Sequence, residues 1–215
     1  MPHSDDLTAR ARIRDAALAE FGAQGIAGAT IRGIAKRAGV SPALVQHHFG
    51  TKEGLRAACD DHVLAYYRGT TEAAFDRGQI GDSSFLSTVY ASSQPVLDYL
   101  ARALVDGTPA AATVFDEMVN LTERYFADIP GLADARTRAV VYTSMRLGGL
   151  VLHQHVARLL EVDSITDAGP QLGRATLDVV SPDILPDGVA DQIKRALDSY
   201  EDDHKKDDRK KEEDR

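Results

Sequence analysis

The side chains with the most versatile chemistry are concentrated in one short stretch, AGVSPALVQHHFGTKEGL, which spans residues 38–55. It supplies hydroxyl, amide, imidazole and ammonium groups, which make hydrogen bonds and, where two histidines are adjacent, raise the question of metal binding. His47 and His48 point about 100° apart on a helix, so they cannot chelate one ion. His153 and His155 would face nearly opposite sides of their helix. We therefore predict no metal site and no cofactor.

Signals for helix starts and stops divide this region into unusually short helices. Thr30 is a capping residue for the first, and Gly39 is placed to end it. Ser41 followed by Pro42 restarts a helix, which stops again within about two turns. Such a helix gains little from packing. Two short helices joined by a glycine turn and supported by a longer first helix predict a helix-turn-helix over about 31–50, whose second helix fits the DNA major groove.

An ordinary helical bundle remains the alternative to this interpretation, because short capped helix pairs also occur there. The charge distribution favours the DNA-binding interpretation. Net charge is −8 overall, yet residues 1–56 hold eight Lys and Arg against five Asp and Glu, which gives +3, and the remainder carries −11. A basic head on an acidic body is the asymmetry expected when one end meets a polyanion.

The rest of the chain also has helical periodicity, so we predict an all-α fold. A helix from Lys52 extends to Arg77, Pro95 kinks a later one, and Pro109 begins another. The longest apolar pattern, DARTRAVVYTSMRLGGLVLHQHVARLLEV, predicts a central buried helix of about 28 residues. The tail 201–215 has no apolar residue and is expected to be flexible.

The residues TIRGIAKRAGVSPALVQHHFGTKEGL resemble the N-terminal DNA-binding domain of the tetracycline-repressor-like (TetR) family of bacterial regulators. The resemblance covers roughly 8–68, and its motif lies on Thr30, Ile34, Ala35, Ala38, Gly39, Val40, Ser41, His48, Phe49, Lys52, Glu53 and Leu55. Where the family commonly has a small residue and then Leu-Tyr before the His-Phe pair, this chain has Leu44, Val45 and Gln46. Gln46 can hydrogen-bond a phosphate or read adenine.

The resemblance and the side-chain chemistry together imply a set of DNA contacts. Phosphates are expected at the start of the second helix, and base edges at the first turn of the third, where Leu44 can pack on a thymine methyl. The charge of Lys52, in the first turn of its helix, interacts unfavourably with the helix dipole. A nearby phosphate would make the net interaction of this charge favourable. The predicted DNA-binding residues are Thr30, Arg32, Ser41, Pro42, Ala43, Leu44, Gln46, His47 and Lys52.

We call the predicted DNA-binding domain, residues 8–68, the head. The residues after it, 69–200, are expected to form a ligand-binding and dimerisation domain. A four-helix dimer seam is expected from Leu172, Ala175, Leu177, Val179, Val180, Val189, Ile193 and Leu197, which could equally close the monomer core. The resemblance implies a small-molecule inducer, and the candidate pocket residues are Tyr90, Gln94, Phe115, Met118, Tyr142, Met145, Arg146 and His153. Arg146 lies in an apolar run, which suggests a partner such as Asp116 or Glu117, or an anionic ligand.

These observations predict a DNA-binding transcriptional regulator, a repressor by resemblance, that binds a palindromic operator as a homodimer and is released by a small molecule. A ligand-independent DNA-binding regulator is one alternative; a helical enzyme or scaffold is the other. No nucleophile elbow, phosphate-binding glycine loop or His-Glu-x-x-His helix is present, so no enzyme is expected. With Cys59 as the single thiol and no apolar run of signal-peptide length, the expected location is the cytoplasm, away from membranes.

Overall fold

The computed structural model describes residues 4–129, 133–179, 188, 191–200 and 202–203, with the backbone alone at 4–7, 90–92 and 110. These residues are almost entirely helical and include no strand, which confirms the predicted all-α class. The helices are α1 (Ser4–Gly28), α2 (Ile31–Ala38), α3 (Pro42–Phe49), α4 (Lys52–Thr71), α5 (Ser83–Asp106), α6 (Pro109–Phe126), α7 (Ala135–Val151), α8 (His153–Leu160), α9 (Gly169–Val179) and α10 (191–200).

The described helices form two compact units. The first takes the residues up to Tyr67 together with Gln94–Glu117, and the second takes Arg68–Ser93 with the described residues from Met118 onward. The predicted domain boundary at residue 68 stays a prediction. The predicted flexible tail lies outside the described residues, apart from 202–203.

In the first unit, α1 carries the core on which α2 and α3 pack. Ile13, Ala17 and Phe21 recur every four residues along it and are fully buried, as the helical period requires. The regular helix is interrupted at Gly25, whose φ of 71° and ψ of 166° lie outside the range of ordinary side chains. Gly25 therefore divides α1 at this point.

Helix α4 begins at Lys52 as predicted, but its regular part ends at Thr71 and not at the predicted Arg77. After Thr71 the chain continues as a π-helical turn, Glu72–Asp76, and a 3-10 turn follows at Gln79–Gly81. Phe75, in the π-helical turn, packs its ring against that of Tyr125, with the ring centroids 4.4 Å apart. Helix α5 continues through Pro95 as one helix.

The predicted 28-residue central helix is wrong in two respects. The helix divides at Leu152 into α7 and α8, and only one side of it is buried. Ala139, Thr143, Leu147 and Leu150 form the buried side of α7. Large apolar side chains on the other side remain exposed: Val140, Val141, Met145, Val151, Leu152 and Leu159. The apolar residues around the circumference of α7 and α8 therefore form a second, exposed apolar surface. They do not indicate that these helices are completely buried within one chain.

Helix α10 closes the core of the second unit. Leu197 and Ala196 are 1% exposed and form a cluster with Leu86, against which Ile193 packs. Of the two roles predicted for Leu197, the structure supports closure of the monomer core, because this side chain is already covered within the chain; Ile193 is half-buried, and its place in a seam stays a prediction. In α9, Leu177 is 9% exposed and Val179 is 76% exposed. Ala175 is also exposed and Leu172 is half-buried, whereas Val180 and Val189 lie outside the described residues.

Replacing Leu197 with alanine should therefore destabilise the monomer. We expect the free energy of unfolding in urea to fall by about 2–4 kcal/mol, because a fully buried leucine leaves a cavity when truncated. Val105→Ala is the control, since Val105 is 63% exposed, and it should change the free energy of unfolding by less than about 0.5 kcal/mol. An unchanged stability with a weaker dimer would place Leu197 in an interface between chains.

No helix in the described part of the chain combines the length and the apolar character needed to cross a bilayer.

Candidate nucleic-acid interface

Helix α2 begins with a side-chain cap, as the sequence predicts. The Thr30 hydroxyl accepts a hydrogen bond from the Gly33 amide at 3.0 Å, and both Thr30 and Arg32 are exposed beside this helix start. The helix ends at Gly39, which has a left-handed φ of 67° and donates its N–H to the last carbonyls. The start of α2 therefore offers exposed donors and a cation to solvent.

Helix α3 also begins with a side-chain cap. The Ser41 hydroxyl accepts from the Leu44 amide at 3.1 Å, and Pro42 occupies the first helical position. Val45, at 1% exposed, is the residue that fixes the helix to the core. The helix ends at Phe49, about two turns after its start, as predicted.

The side of α3 opposite Val45 is open to solvent. Pro42 and Ala43 are exposed, as are Gln46 and His47 one turn further on, so these residues share a helix face. Leu44 is half-buried at its edge. This exposed face is formed by residues that the sequence selects as DNA contacts, although their contact with DNA stays a prediction.

Aromatic and basic groups support the end of α3. The rings of His47, His48 and Phe49 follow one another edge to face, with centroids 5.5 Å and 6.2 Å apart. The Arg10 guanidinium lies 5.0 Å from the centroid of the Phe49 ring, within the range of a cation–π contact. His47 is exposed and His48 half-buried, as expected of adjacent helix positions. Arg10 is not among the residues that the sequence selected.

Lys52 has a different environment from the one its sequence position suggests. Its side chain is half-buried, and its ammonium donates to the carbonyl of Ala29 at 2.8 Å and to that of Ala27 at 3.4 Å. These carbonyls already compensate the ammonium in the first turn of α4, so its position there no longer indicates a phosphate by itself. A phosphate contact by Lys52 stays a prediction.

A buried carboxylate joins α1 to the end of α2. Glu20 is 8% exposed, and its two oxygens accept from Arg37 Nε at 2.8 Å and from Gln24 Nε2 at 2.6 Å. The sequence places Glu20 on the polar side of α1 and therefore gives no sign of this burial. The pairing links α1 directly to α2, the first helix of the helix-turn-helix, so Glu20 is a supporting residue for α2.

Glu20→Ala should destabilise the first unit. We expect the free energy of unfolding to fall by about 1–3 kcal/mol, because Arg37 and Gln24 lose a charged acceptor in a partly buried place. The figure is below that of a fully buried pair, since half of the Arg37 side chain is exposed. Asp61→Ala, at an exposed position on α4, is the control. Equal urea midpoints for the two variants would contradict a supporting role for Glu20.

The predicted ligand-binding residues are divided between the two compact units. Gln94 and Phe115 belong to the first, where Gln94 donates to Asp98 at 2.6 Å. Met118, Tyr142 and the later candidates belong to the second. The side chain of Tyr90 lies outside the described residues. Their common role in a pocket stays a prediction.

Two of the predicted ligand-binding residues are exposed to solvent, and a third lies within hydrogen-bond distance of a backbone carbonyl. Met145 is 54% exposed, and Arg146 is exposed with its guanidinium 5.9 Å from the Tyr142 ring centroid. The premise that Arg146 is a buried charge in need of compensation is therefore wrong. His153 is half-buried, with Nδ1 2.9 Å from the Leu150 carbonyl oxygen.

Comparison with known proteins supports the interpretation of the head and extends it to the remainder of the chain. The family model of bacterial regulatory proteins of the tetR family matches residues 13–59, and that of the tetracyclin repressor-like C-terminal domain matches residues 91–184. The HTH-type transcriptional regulatory protein RaaS of Mycobacterium tuberculosis is 38% identical over 156 residues, which cover 70% of this chain and 73% of that protein. The regulator BetI of Paraburkholderia phytofirmans is 46% identical over 55 residues, 26% of this chain and 28% of that protein.

Solved structures share the fold at lower identity. A gamma-butyrolactone receptor (ArpA-like protein) superposes with a TM-score of 0.58 and 20% identity, covering 92% of this chain and 99% of that chain. A second structure, described as the molecular basis for control of antibiotic production by a bacterial hormone, gives a TM-score of 0.53 at 22% identity, covering 72% of this chain and 87% of that one. At such identities the likeness shows the fold alone.

The capped helix pair with its open face, in a chain of this fold, defines a helix-turn-helix transcriptional regulator that binds DNA and is not an enzyme. The chain belongs to the TetR family of bacterial regulators, which confirms the resemblance found in the sequence.

Proposed function

We propose that this regulator is a repressor that binds a palindromic operator as a homodimer and leaves it when a small molecule binds the residues C-terminal to the head. The observation that carries the proposal is the exposed face of α3, where Pro42, Ala43, Gln46 and His47 are held outward by the Ser41 cap and the buried Val45. A helix presented in this way can enter a major groove.

One copy of this face is too small for operator affinity. Two turns of helix give only a few base contacts, each worth about 1–3 kcal/mol of discrimination. Specific sites are typically bound at roughly 10⁻⁸ M or tighter. Two copies related by a twofold axis double the contacts and require a palindromic site.

The exposed side of α7 and α8 is the surface we assign to the second copy. Val141, Met145, Leu152 and Leu159 are between 53% and 70% exposed. They follow a spacing of four and seven residues, with Gly148 and His155 at the intervening heptad positions. We call this set the apolar stripe. Such a stripe resembles the seam of a helix bundle and is costly to leave in water.

The glycine between Met145 and Leu152 in this stripe favours a close helix partner. A Cβ placed on Gly148 would meet no other atom within 4 Å, so space is open on this side of α7. A second copy of the same helix could approach there until the two backbones are nearly in contact. Membership of a family whose members bind DNA as dimers supports the second copy as the occupant.

The release step is supported by the family alone. An effector would weaken DNA binding only through a higher affinity for a conformation that fits the operator poorly. The gamma-butyrolactone receptors that share this fold make a lactone of that class a reasonable first compound to test. A regulator that needs no effector is the remaining candidate, and unchanged DNA binding across a lactone series would favour it.

The test is selection of bound fragments from genomic DNA with the purified full chain, followed by gel shifts. We expect enrichment of an inverted repeat, a specific affinity at least about 10³-fold above that for random DNA, and a steep salt dependence. Enrichment without a repeat, or equal binding to all fragments, would refute the palindromic operator.

A further inference from the structure

Three helices of the first unit meet at one tyrosine. Tyr99 of α5 is 2% exposed, and its hydroxyl donates to Oδ1 of Asp60 on α4 at 2.5 Å. The ring of Tyr99 lies against that of Phe21 on α1, with the centroids 6.1 Å apart. One side chain of α5 therefore contacts both α1, on which the helix-turn-helix packs, and α4, which follows the recognition helix α3.

The carboxylate of Asp60 is suited to this bond. The Arg56 guanidinium lies 3.6 Å from its second oxygen, and burial raises the pKa of Asp60 above its ordinary value. The pKa of Tyr99 is raised as well, by burial and by the hydrogen bond to Asp60, so the phenol keeps its proton and acts as the donor.

Close backbone packing fixes the position of α5 on α1 beside this bond. A Cβ on Gly22 would lie 3.1 Å from Cβ of Asp98 and 3.2 Å from the backbone nitrogen of Tyr99, closer than side chains normally approach. A larger residue at position 22 would force the neighbouring backbone to shift by a few tenths of an ångström. The packing of α5 on α1 is therefore tight at this point.

We propose that Tyr99 and Asp60 are positioning residues for sequence-specific DNA binding, and that their hydrogen bond sets the orientation of α1 and α4 and hence of α3. The bond makes no contact with DNA. Its effect is on how well the two recognition helices of a dimer fit both half-sites at once, so the inference rests on the proposed function. A single head that binds random DNA through phosphates does not need this alignment.

The experiment compares operator and random-sequence DNA with the full-length protein. Tyr99→Phe and Asp60→Ala should each weaken operator binding about tenfold and leave binding to random DNA within about twofold, since one hydrogen bond to a partly buried carboxylate is lost. The double variant should be no weaker than either single variant. Asp60→Asn should keep near wild-type affinity, because its amide oxygen still accepts from the tyrosine.

Tyr125→Phe is the matched control. The Tyr125 hydroxyl donates to Asp76 Oδ1 at 3.1 Å within the second unit, so the variant removes the same atom from another Tyr–Asp pair. It should leave the ratio of operator to random-DNA affinity unchanged. Gly22→Ala provides an independent route, since its added methyl group crowds Asp98 and the Tyr99 backbone and removes no hydrogen-bonding group, and it should lower the same ratio.

The outcomes separate the alternatives. Operator affinity within twofold of wild type for Tyr99→Phe would overturn the inference, and so would an equal loss on operator and random DNA, which marks a merely structural role. A fall of the ratio in Tyr125→Phe would also contradict it. If Tyr99→Phe does not fold, Asp60→Ala and Gly22→Ala decide in the same assay. Failure of the wild-type protein to prefer any DNA site would instead refute the proposed function.

Discussion

Replacing Ala43 with glutamate is expected to abolish operator binding while leaving the protein folded. Ala43 is exposed in the first turn of α3, on the face proposed to meet the bases. A carboxylate there repels phosphates and base acceptors in both half-sites, which should weaken binding more than about 100-fold. In the free protein the same carboxylate lies near the positive end of α3 and should stabilise the helix slightly.

The substitution is expected to weaken DNA binding but not to lower the stability of the fold. A loss of DNA binding therefore cannot be attributed to unfolding. Gel shift measures the loss of DNA binding, and thermal unfolding measures an unchanged or slightly higher melting temperature. Ala112→Glu, an exposed alanine on α6, is the matched control and should bind the operator like the wild type. Retention of operator binding by Ala43→Glu would exclude this face of α3 from the interface.

Val141→Asp should convert the proposed homodimer into a monomer. Val141 is 53% exposed in the isolated chain, so a carboxylate costs little there, whereas a dimer would bury two of them without partners. The dimer dissociation constant should rise more than about 100-fold, because burial of an unpaired charge costs several kcal/mol. Operator binding should fall with it, since a monomer reaches only one half-site.

Sedimentation equilibrium measures this change directly. Val105→Asp carries the same substitution at a valine that is 63% exposed on α5 and outside the apolar stripe, and it should remain a dimer. A dimeric Val141→Asp would show that chains pair through another surface, whereas a wild type that is already monomeric would refute the dimer itself.

The head could be predicted in detail because its signals are local. Thr30 and Ser41 cap helices through hydroxyls only three residues from the amides they bind, and Gly39 ends α2 with a conformation that glycine adopts easily. Such features depend on nearest neighbours along the chain. The sequence therefore predicts the bounds of α2 and α3 to within about a residue.

The errors concern features that depend on residues far apart in the sequence. Glu20 is polar and lies beside polar neighbours, yet Arg37 and Gln24 give it a buried place. Lys52 finds the Ala29 carbonyl, which no helix-dipole argument on α4 alone could reveal. The same holds for α10, since an apolar face predicts burial but does not say whether the chain or a second copy supplies the cover.

The hydrogen bond between Tyr99 and Asp60 shows the same limit. Nothing in either local sequence predicts that α5 meets α4 there, because the pairing depends on the close approach that Gly22 permits. The sequence of α7 predicts its hydrophobic character, but not that this apolar side is exposed in a single chain. That exposure moves the expected dimer surface from the last helices to α7 and α8.

The most direct measurement is a hydroxyl-radical footprint of the full-length protein on a selected genomic fragment. Two chains that each place α3 in a major groove should protect two patches on the same face of the duplex, symmetric about a dyad and separated by one helical turn or a multiple of it. A single protected patch, or protection without twofold symmetry, would contradict the proposal that paired α3 helices read this DNA.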